Sequence, residues 1–413
     1  MKFPVEVLNE TKNKEKLLEI LKNKVCNSCL GREFGMLGHG LTNAERGEIL
    51  REFASKLTES EIKEPEICFL CNNFFKDGIN KVADDIVEKV RDMEFGTFLI
   101  GSVISNDMAR KQDELWNNIG IEDIESIKSE INREVGKKIE KLTKKSFDLK
   151  NPDVTILVDL NDNNIRLQIR SLYVYGKYQK LARGIPQTKW ICKRCSGKGC
   201  TYCKGEGKLY KTSVQEIIEK PFIKTTDSKN SSFHAAGRED VDARNLDWRP
   251  FVLELIKPIK RKIDLKKIER QINKSKKAKV KGLKLVKEGR YLIRKLKTER
   301  IDKTYLVEVE FKKYIDRSKL KLIKEITKEP ILQKTPLRVV HRRADKFRKR
   351  FVKNISYKQS GKRTLQLKIR AEAGLYIKEL ITGDEGRTKP NISDTIGDSV
   401  KKIKLDVIRI HSD

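Results

Sequence analysis

The placement of the cysteines constrains the fold of this chain more than any other sequence feature. All eight cysteines of the 413 residues fall in CxxC pairs, which form clusters at residues 26–71 and 192–203. In a reducing compartment, pairs with this spacing favour metal ligation over disulfide bonds. We therefore expect small metal-stabilised modules beside the larger domains.

The first cluster lies in a segment with helical patterning. Its two pairs could supply four thiolates to one tetrahedral zinc ion, and such a closed site is structural because it leaves no position for water. A pair of buried thiols without metal is the alternative. Thr42 and Glu45 form a capping box before the next helix, so we interpret residues 1–72 as a helical zinc module. The proposed ligands are Cys26, Cys29, Cys68 and Cys71.

The second cluster reads CKRCSGKGCTYCKGEG. It resembles the zinc repeats of the DnaJ chaperones over some sixteen residues, which indicates a metal site but not a chaperone function. Its lysines would offer a basic surface to phosphate, and the alternative is a solvated staple between two domains. The proposed ligands are Cys192, Cys195, Cys200 and Cys203, and the lysines are Lys193, Lys198, Lys204 and Lys208.

Charge points to a polyanionic partner. Lys and Arg total 91 against 59 Asp and Glu, a net charge of +32. The ion-pair enrichment of thermophile proteins adds positive and negative residues alike, so it does not explain this positive excess.

No run approaches the roughly 18 apolar residues of a membrane span, and MKFPVEVLNETKNKEK has no signal-peptide core, so we expect a soluble cytoplasmic protein. The four histidines are not spaced like a catalytic metal cluster.

Periodicity beyond the first module predicts an α+β protein. Helix and strand patterns mix over residues 73–190 and end in a predicted hairpin, VTILVDL and IRLQIRSLYVYG, around the turn at residues 161–164. The second cluster occupies residues 191–212. Strands alternate with shorter helices over residues 213–413, which fits one further α+β domain.

The stretch HAAGREDVDARNLDWRPFVLEL holds the most informative chemistry. A Gly-Arg-x-Asp loop precedes an apolar strand and places Asp240 close to Arg238. Alone the motif is weak, because acidic loop residues are usually solvated. Asp242 competes for the same role, but an extended loop would point it the opposite way.

Three segments together give the loop a context. The loop AGREDVDAR resembles the catalytic loop of the pseudouridine synthases. The segment KTYLVEVE carries Tyr305 at the place where that superfamily has its active-site tyrosine. The segment AGLYIKELITGDEGRTKP carries Tyr376 and Lys378 in the superfamily's Gly-x-Tyr-Ile-basic pattern. QKTPLRVVHRRADKFRKR and GKYQKLARGIPQTKW are similar to segments of one branch, the archaeal and eukaryotic tRNA pseudouridine synthases acting on the TΨC arm at positions 54 and 55. The resemblance covers residues 26–396.

The resemblance implies a set of roles. Asp240 is the catalytic carboxylate, Lys378 its basic partner, Tyr305 stacks on the uracil and Tyr376 packs near it; ordinary core packing is the alternative for both tyrosines. The resemblance further implies that residues 73–190 form a THUMP-type RNA-binding domain. Residues 213–413 would form a pseudouridine synthase catalytic domain with a mixed sheet flanked by helices. The second cysteine cluster departs from the family pattern.

The implied reaction isomerises a flipped uridine in tRNA and requires no redox or nucleotide cofactor. Arginines after residue 340 and the basic stretch 257–300 are candidate phosphate contacts, although charge runs are usually solvated.

A non-catalytic zinc-containing RNA-binding assembly factor is the alternative function. An RNA methyltransferase or thiolase lacks support, because no glycine-rich nucleotide loop follows a strand. We expect a monomer. The candidate RNA-binding arginines are Arg342, Arg343, Arg348 and Arg350.

Overall fold

The computed structural model describes residues 5–37, 40–341 and 343–411. They belong to two compact units, Met1–Arg170 and Ser171–Asp413. Both units combine helices with sheet, so the α+β prediction is confirmed. Across the described residues, every helix is too short or too polar to cross a membrane.

The first unit opens with three helices around the first cysteine cluster: α1 (Thr11–Lys22), α2 (Asn27–Arg32) and α3 (Asn43–Leu57). The predicted capping box is present, because the Thr42 hydroxyl accepts the Glu45 N–H and the Glu45 carboxylate accepts the Thr42 N–H. Helices α2 and α3 cross with their backbones in contact. A Cβ on Gly31 would lie 1.9 Å from a backbone oxygen of α3, so glycine is required there.

The rest of the first unit is a small sheet covered by helices. Its elements are α4 (Ile79–Val90), β1 (Thr97–Val103), α5 (Asn106–Ile119), α6 (Ile127–Thr143), β2 (Ser146–Phe147), β3 (Val154–Asp159) and β4 (Asn164–Ile169). Strand β1 runs parallel to β2 and β3, while β4 is antiparallel to β3, in the order β2-β1-β3-β4. Alternate residues of β1 and β3 are buried, as expected for strands with one face on the core.

The predicted domain boundary near residue 72 does not separate two compact units. The buried guanidinium of Arg32 in α2 lies 3.0 Å from the buried Glu130 carboxylate of α6. The Trp116 indole of α5 donates to Glu33 at 2.9 Å. These polar contacts join the cysteine module to α5 and α6, while each part keeps its own main apolar cluster.

The two compact units meet between Arg170 and Ser171, and the domain boundary near residue 190 stays a prediction. The sequence reads IRLQIRSLYVYG as one strand of a hairpin, but the structure breaks it after β4. The turn at residues 161–164 does join β3 to β4. Strand β5 (Leu172–Lys180) instead pairs with two strands of the second unit. Both halves alternate apolar and polar residues equally well, so the pattern contains no signal for the change of sheet.

The second unit is built on a large mixed sheet. Beside β5, its elements are α7 (Val214–Thr226), β6 (Asn230–Ala235), β7 (Arg244–Ile256), α8 (Leu265–Ile272), β8 (Ala278–Val286), α9 (Gly289–Thr298), β9 (Lys303–Phe311), a 3-10 helix (Arg317–Thr327), β10 (Ile331–Lys334), α10 (Leu337–Val340), β11 (Phe347–Arg350), β12 (Val352–Gln359), β13 (Thr364–Ala371), α11 (Ile377–Thr382), β14 (Thr388–Lys389), α12 (Ile392–Ile396) and β15 (Val400–Ile410). The strand order is β12-β13-β9-β15-β7-β5-β8, and β6 pairs with β7 at its other end. Strands β15 and β7 are parallel, whereas the other neighbours are antiparallel.

The middle of this sheet positions the candidate site. Tyr305 of β9 pairs with Val407 of β15, and Val407 pairs with Asn245 at the start of β7. The loop of residues 236–243, which joins β6 to β7, therefore ends beside Tyr305. Strands β10, β11 and β14 form a separate small sheet, and α10 follows β10 directly.

Candidate active site

The Gly-Arg-Glu-Asp loop is held by a buried lysine that the sequence reasoning missed. The Lys180 Nζ donates to the backbone oxygens of Asp240 at 2.9 Å and Val241 at 3.0 Å. Burial lowers the pKa of Lys180 to about 8, although nearby carboxylates oppose this shift. Gly237 has a φ of +80° and faces the Arg249 guanidinium, so a side chain there would be strained.

A cluster of buried polar side chains contacts the same Gly-Arg-Glu-Asp loop. The Glu239 carboxylate lies 3.3 Å from the Arg249 Nε, and both side chains are almost fully buried. The Tyr178 hydroxyl donates to Glu239 at 3.0 Å, and the Gln187 amide donates to the Gly237 oxygen at 3.0 Å. Because Tyr178, Gln187 and Glu239 are buried and are joined to one another or to the loop by hydrogen bonds, the loop has one defined shape.

Asp240 is the carboxylate that this loop presents. Its Oδ1 lies 2.9 Å from the Arg338 Nη1 and its Oδ2 lies 3.5 Å from the Lys378 Nζ. The side chain is 31% exposed. Lys378 lies closer to Asp242, at 2.7 Å. The loop turns at Val241 and Asp242, so Asp242 does not point away as an extended loop would require.

Arg338 is a second residue that the sequence reasoning missed as a partner of Asp240. It lies on α10 and also bonds through Nε to Glu379, a buried carboxylate of α11. Burial opposes a charged guanidinium, but Glu379 and Asp240 outweigh it and raise the pKa of Arg338. The contact joins residues 98 positions apart, so no local spacing could have indicated it.

The loop forms one wall of a cavity of about 250 Å³. This volume is below the roughly 300–1,000 Å³ of sites for drug-sized ligands, which suits a single nucleobase. Tyr305 lies in the wall, and burial, with a contribution from the Asp240 charge, raises its pKa to about 12 although Arg249 opposes this. The phenol is therefore neutral near pH 7. Arg238, Asp240, Lys303, Tyr305, Arg338, Arg343, Tyr376 and Lys378 contribute to the lining.

Tyr376 forms the rim of the cavity. Its hydroxyl accepts a hydrogen bond from Arg343, and its ring centroid lies 5.8 Å from the Arg338 guanidinium and 5.9 Å from that of Arg343. The backbone is fixed by Gln333, which exchanges two hydrogen bonds with it at 2.8 and 3.1 Å. The predicted tyrosines, Asp240 and Lys378 thus meet at one cavity.

The predicted RNA-binding arginines separate into different environments. Arg343 lies on the cavity wall. Arg348 donates to the Thr335 hydroxyl at 2.8 Å, and Arg350 donates to the Ala373 oxygen at 3.1 Å. Arg342 lies outside the described residues. Phosphate binding by these arginines remains a prediction.

Both predicted cysteine clusters have the geometry of a four-sulfur metal site. Within each, all four sulfurs lie within 4.8 Å of one another. Zinc bonds of about 2.3 Å in a tetrahedron require sulfurs about 3.8 Å apart. The sulfurs of Cys26 and Cys71 are 3.7 Å apart, and those of Cys195 and Cys203 are 3.8 Å apart. The donor sets therefore fit zinc.

One base-sized cavity is lined by a loop carboxylate paired with two basic side chains and by a strand tyrosine, which is the arrangement expected of a pseudouridine synthase. Comparison with known families agrees: the family described as "Pus10, C-terminal" matches residues 173–411, and "Pus10 THUMP domain, archaeal" matches residues 82–159. The chain belongs to the Pus10 family.

Curated relatives cover nearly the whole chain. The tRNA pseudouridine synthase Pus10 of Methanothrix thermoacetophila is 37% identical, over 94% of this chain and 91% of its own length. That of Methanothermobacter marburgensis is 39% identical, over 95% and 97%. A solved Cbf5-Nop10-Gar1 complex is 14% identical over 57% of this chain and 48% of its own, with a TM-score of 0.31.

Proposed function

We propose that this chain isomerises uridine to pseudouridine in tRNA, at positions 54 and 55 of the TΨC loop, with Asp240 as the nucleophile. The observation that carries the proposal is the Asp240 carboxylate, bracketed by Arg338 at 2.9 Å and Lys378 at 3.5 Å in a cavity of nucleobase size. Membership of the Pus10 family supports the tRNA substrate.

The chemistry requires a nucleophile, a confined base and a route for one proton. The N1–C1′ bond breaks, the base turns, C5 bonds to C1′, the C5 proton leaves and N1 gains a proton, so no external oxidant or energy source is needed. Asp240 would form the covalent intermediate, with Arg338 and Lys378 holding its carboxylate in place. Tyr305, neutral near pH 7, would stack on the uracil, and its hydroxyl would take part in proton transfer at C5.

Access to the base requires that it leave the folded tRNA arm, which costs a few kcal/mol of unstacking. The net charge of +32 and the THUMP domain at residues 82–159 support phosphate binding as the compensating interaction. Arg238 and Arg343, on the cavity wall, are positioned to contact the flipped nucleotide or its phosphates.

The two cysteine clusters would each hold one structural zinc ion. All four positions of each tetrahedron are taken by protein thiolates, so zinc would supply folding energy and no step of the reaction. In the second cluster the Cys203 sulfur accepts backbone N–H groups from Cys200 at 3.2 Å and Gly207 at 3.3 Å, which suits a thiolate.

The proposed activity predicts a reaction without added cofactor. Purified protein should release tritium from C5-labelled uridine in an unmodified tRNA transcript, with no nucleotide, reductant or donor present. Transcripts with cytidine at position 54 or at position 55 should each release about half as much. A protein that binds the transcript but releases no tritium would instead be the RNA-binding assembly factor.

Arg338 should act as a positioning residue for Asp240. Arg338→Ala is expected to lower kcat roughly ten- to a hundredfold with a small change in KM, since a misplaced reacting group costs about this much. Arg338→Lys should recover part of kcat because it restores a cation near Asp240.

A stability control separates positioning from folding. Arg338→Ala leaves the buried Glu379 without its partner, which costs stability. Combining Arg338→Met with Glu379→Gln removes that unpaired charge. The double variant should therefore regain thermal stability while kcat stays low. Recovery of kcat together with the melting temperature would show that Arg338 has only a structural role.

A further inference from the structure

The second cysteine cluster displays an aromatic ring on a short, closed element. The "knuckle" comprises residues 191–208, whose ends are joined by a β-bridge between Ile191 and Lys208. Tyr202 is 55% exposed, and the Arg194 guanidinium lies 4.1 Å from its ring centroid. A large ring that stays exposed while stacked on an arginine offers a preformed platform for another flat group.

The charge of the knuckle favours an anionic ligand. It contains five cations and a single acid, Glu206. Lys208 pairs with Glu216 outside the knuckle. Within the part of the chain that the structure describes, the other four cations form no ion pair with a carboxylate. They are Lys193, Arg194, Lys198 and Lys204.

The knuckle is attached next to the candidate active site. A second cavity of about 190 Å³ is lined by Trp190 together with Asp240 and Lys378. Trp190 begins the knuckle's stem: its backbone oxygen accepts the Leu209 N–H at 2.9 Å, and its ring packs edge-on against Tyr210 at 5.4 Å. Cys192 follows two residues later, at most about 7 Å of chain.

We propose that the knuckle is an RNA-binding element of the enzyme, which stacks an unpaired base of the substrate on the Tyr202–Arg194 pair while its lysines bind the flanking phosphates. The inference rests on the proposed function for the identity of the RNA. Stacking tolerates any base, and basic side chains beside the ring follow the backbone, which is how single-stranded RNA is bound without sequence readout. The nucleotide held would be a neighbour of the uridine at Asp240.

The test measures tRNA affinity of the zinc-loaded full chain by filter binding. Tyr202→Ala should weaken the Kd about tenfold, and Tyr202→Trp should retain it, because a stacked base contributes on this scale. Tyr314→Ala is the matched control. Tyr314 is 66% exposed, and the Arg363 guanidinium lies 4.8 Å from its ring centroid. It lies beyond the last residue of β9, whereas Tyr305 of the cavity lies near the first. Its Kd should equal that of the wild type.

A Tyr202→Ala protein with normal zinc content, normal melting temperature and wild-type Kd would overturn the inference. If this variant loses zinc, the exposed pair Lys193→Glu and Lys198→Glu decides instead. Their combination should weaken binding and reduce the slope of log K against log salt by about 0.7 for each phosphate that the knuckle no longer neutralises. An unchanged slope overturns the inference.

The two proposals fail in different ways. Wild-type protein that binds tRNA but forms no pseudouridine would refute the proposed function and leave the Kd comparison valid. Wild-type protein that forms pseudouridine, with Tyr202→Ala equal to it in Kd, would refute the knuckle inference alone.

Discussion

Protein carrying Asp240→Asn is expected to bind unmodified tRNA as the wild type does and to form pseudouridine at least about 10³-fold more slowly, since a missing nucleophile has effects of this size or larger. Asparagine keeps the shape of the side chain, and its amide oxygen can still accept the Arg338 hydrogen bond now made at 2.9 Å. It cannot attack the uridine, because a neutral amide is a poor nucleophile. Binding and chemistry are therefore separated in one variant.

The measurement is tritium release from C5-labelled tRNA in single turnover, with the Kd from filter binding. Asp242→Asn is the matched control, because Asp242 lies on the same loop and contacts Lys378 at 2.7 Å. That variant should keep most of the activity, since Arg338 still holds Asp240. If Asp242→Asn were the inactive variant and Asp240→Asn active, the register of the motif would be wrong and Asp242 would be the nucleophile.

Sequence reasoning located the groups that lie in local motifs. Asp240, Tyr305, Tyr376 and Lys378 come from three segments distant along the chain, and the structure brings all four to one cavity. Each segment has a recognisable pattern because a loop, a strand start or a helix start fixes its geometry locally. Their ordered combination compensated for the weakness of any single motif.

The groups that support Asp240 could not be predicted in the same way. Lys180 reaches the loop from 60 residues away and Arg338 from 98. Such contacts depend on which strands become neighbours in the sheet. Lysines and arginines are also so numerous in this chain that composition could not single out two of them.

The same physical limit applies to the assignment of strands and helices to compact units. Strand β5 alternates like β4, and only its pairing with β7 and β8 assigns it to the second unit. Arg32 and Glu130 form a buried ion pair across residue 72, which no local pattern indicates. Local patterns identify elements, whereas long-range contacts decide which elements share a core.

That buried pair also bears on the zinc sites. The Arg32 guanidinium lies 3.5 Å from the Cys29 sulfur and 3.0 Å from Glu130, so it connects the first cysteine cluster to α6. A zinc ion held by four thiolates leaves net negative charge, which a buried arginine would neutralise. Loss of the metal would therefore disturb the ion pair as well as the local turns.

Cys26→Ser is accordingly expected to abolish one zinc equivalent and to unfold α1, α2 and α3 locally. Structural zinc sites contribute about 10–16 kcal/mol to the folding of small modules, which is comparable with the whole stability of a typical domain, about 5–15 kcal/mol. Amide protection in α1, α2 and α3 should fall close to that of an unfolded chain. Metal analysis and hydrogen exchange measure the two effects on the same sample.

Cys195→Ser provides the matched control, because it removes one ligand from the second cluster and leaves the first intact. It should also abolish one zinc equivalent, but with full protection of α1 to α3 and reduced protection confined to residues near 191–208. The large sheet of the second unit should remain protected in both variants, since its core consists of side chains outside either cluster. A Cys26→Ser protein that loses its zinc yet keeps α1 to α3 protected would show that packing alone holds the first module together.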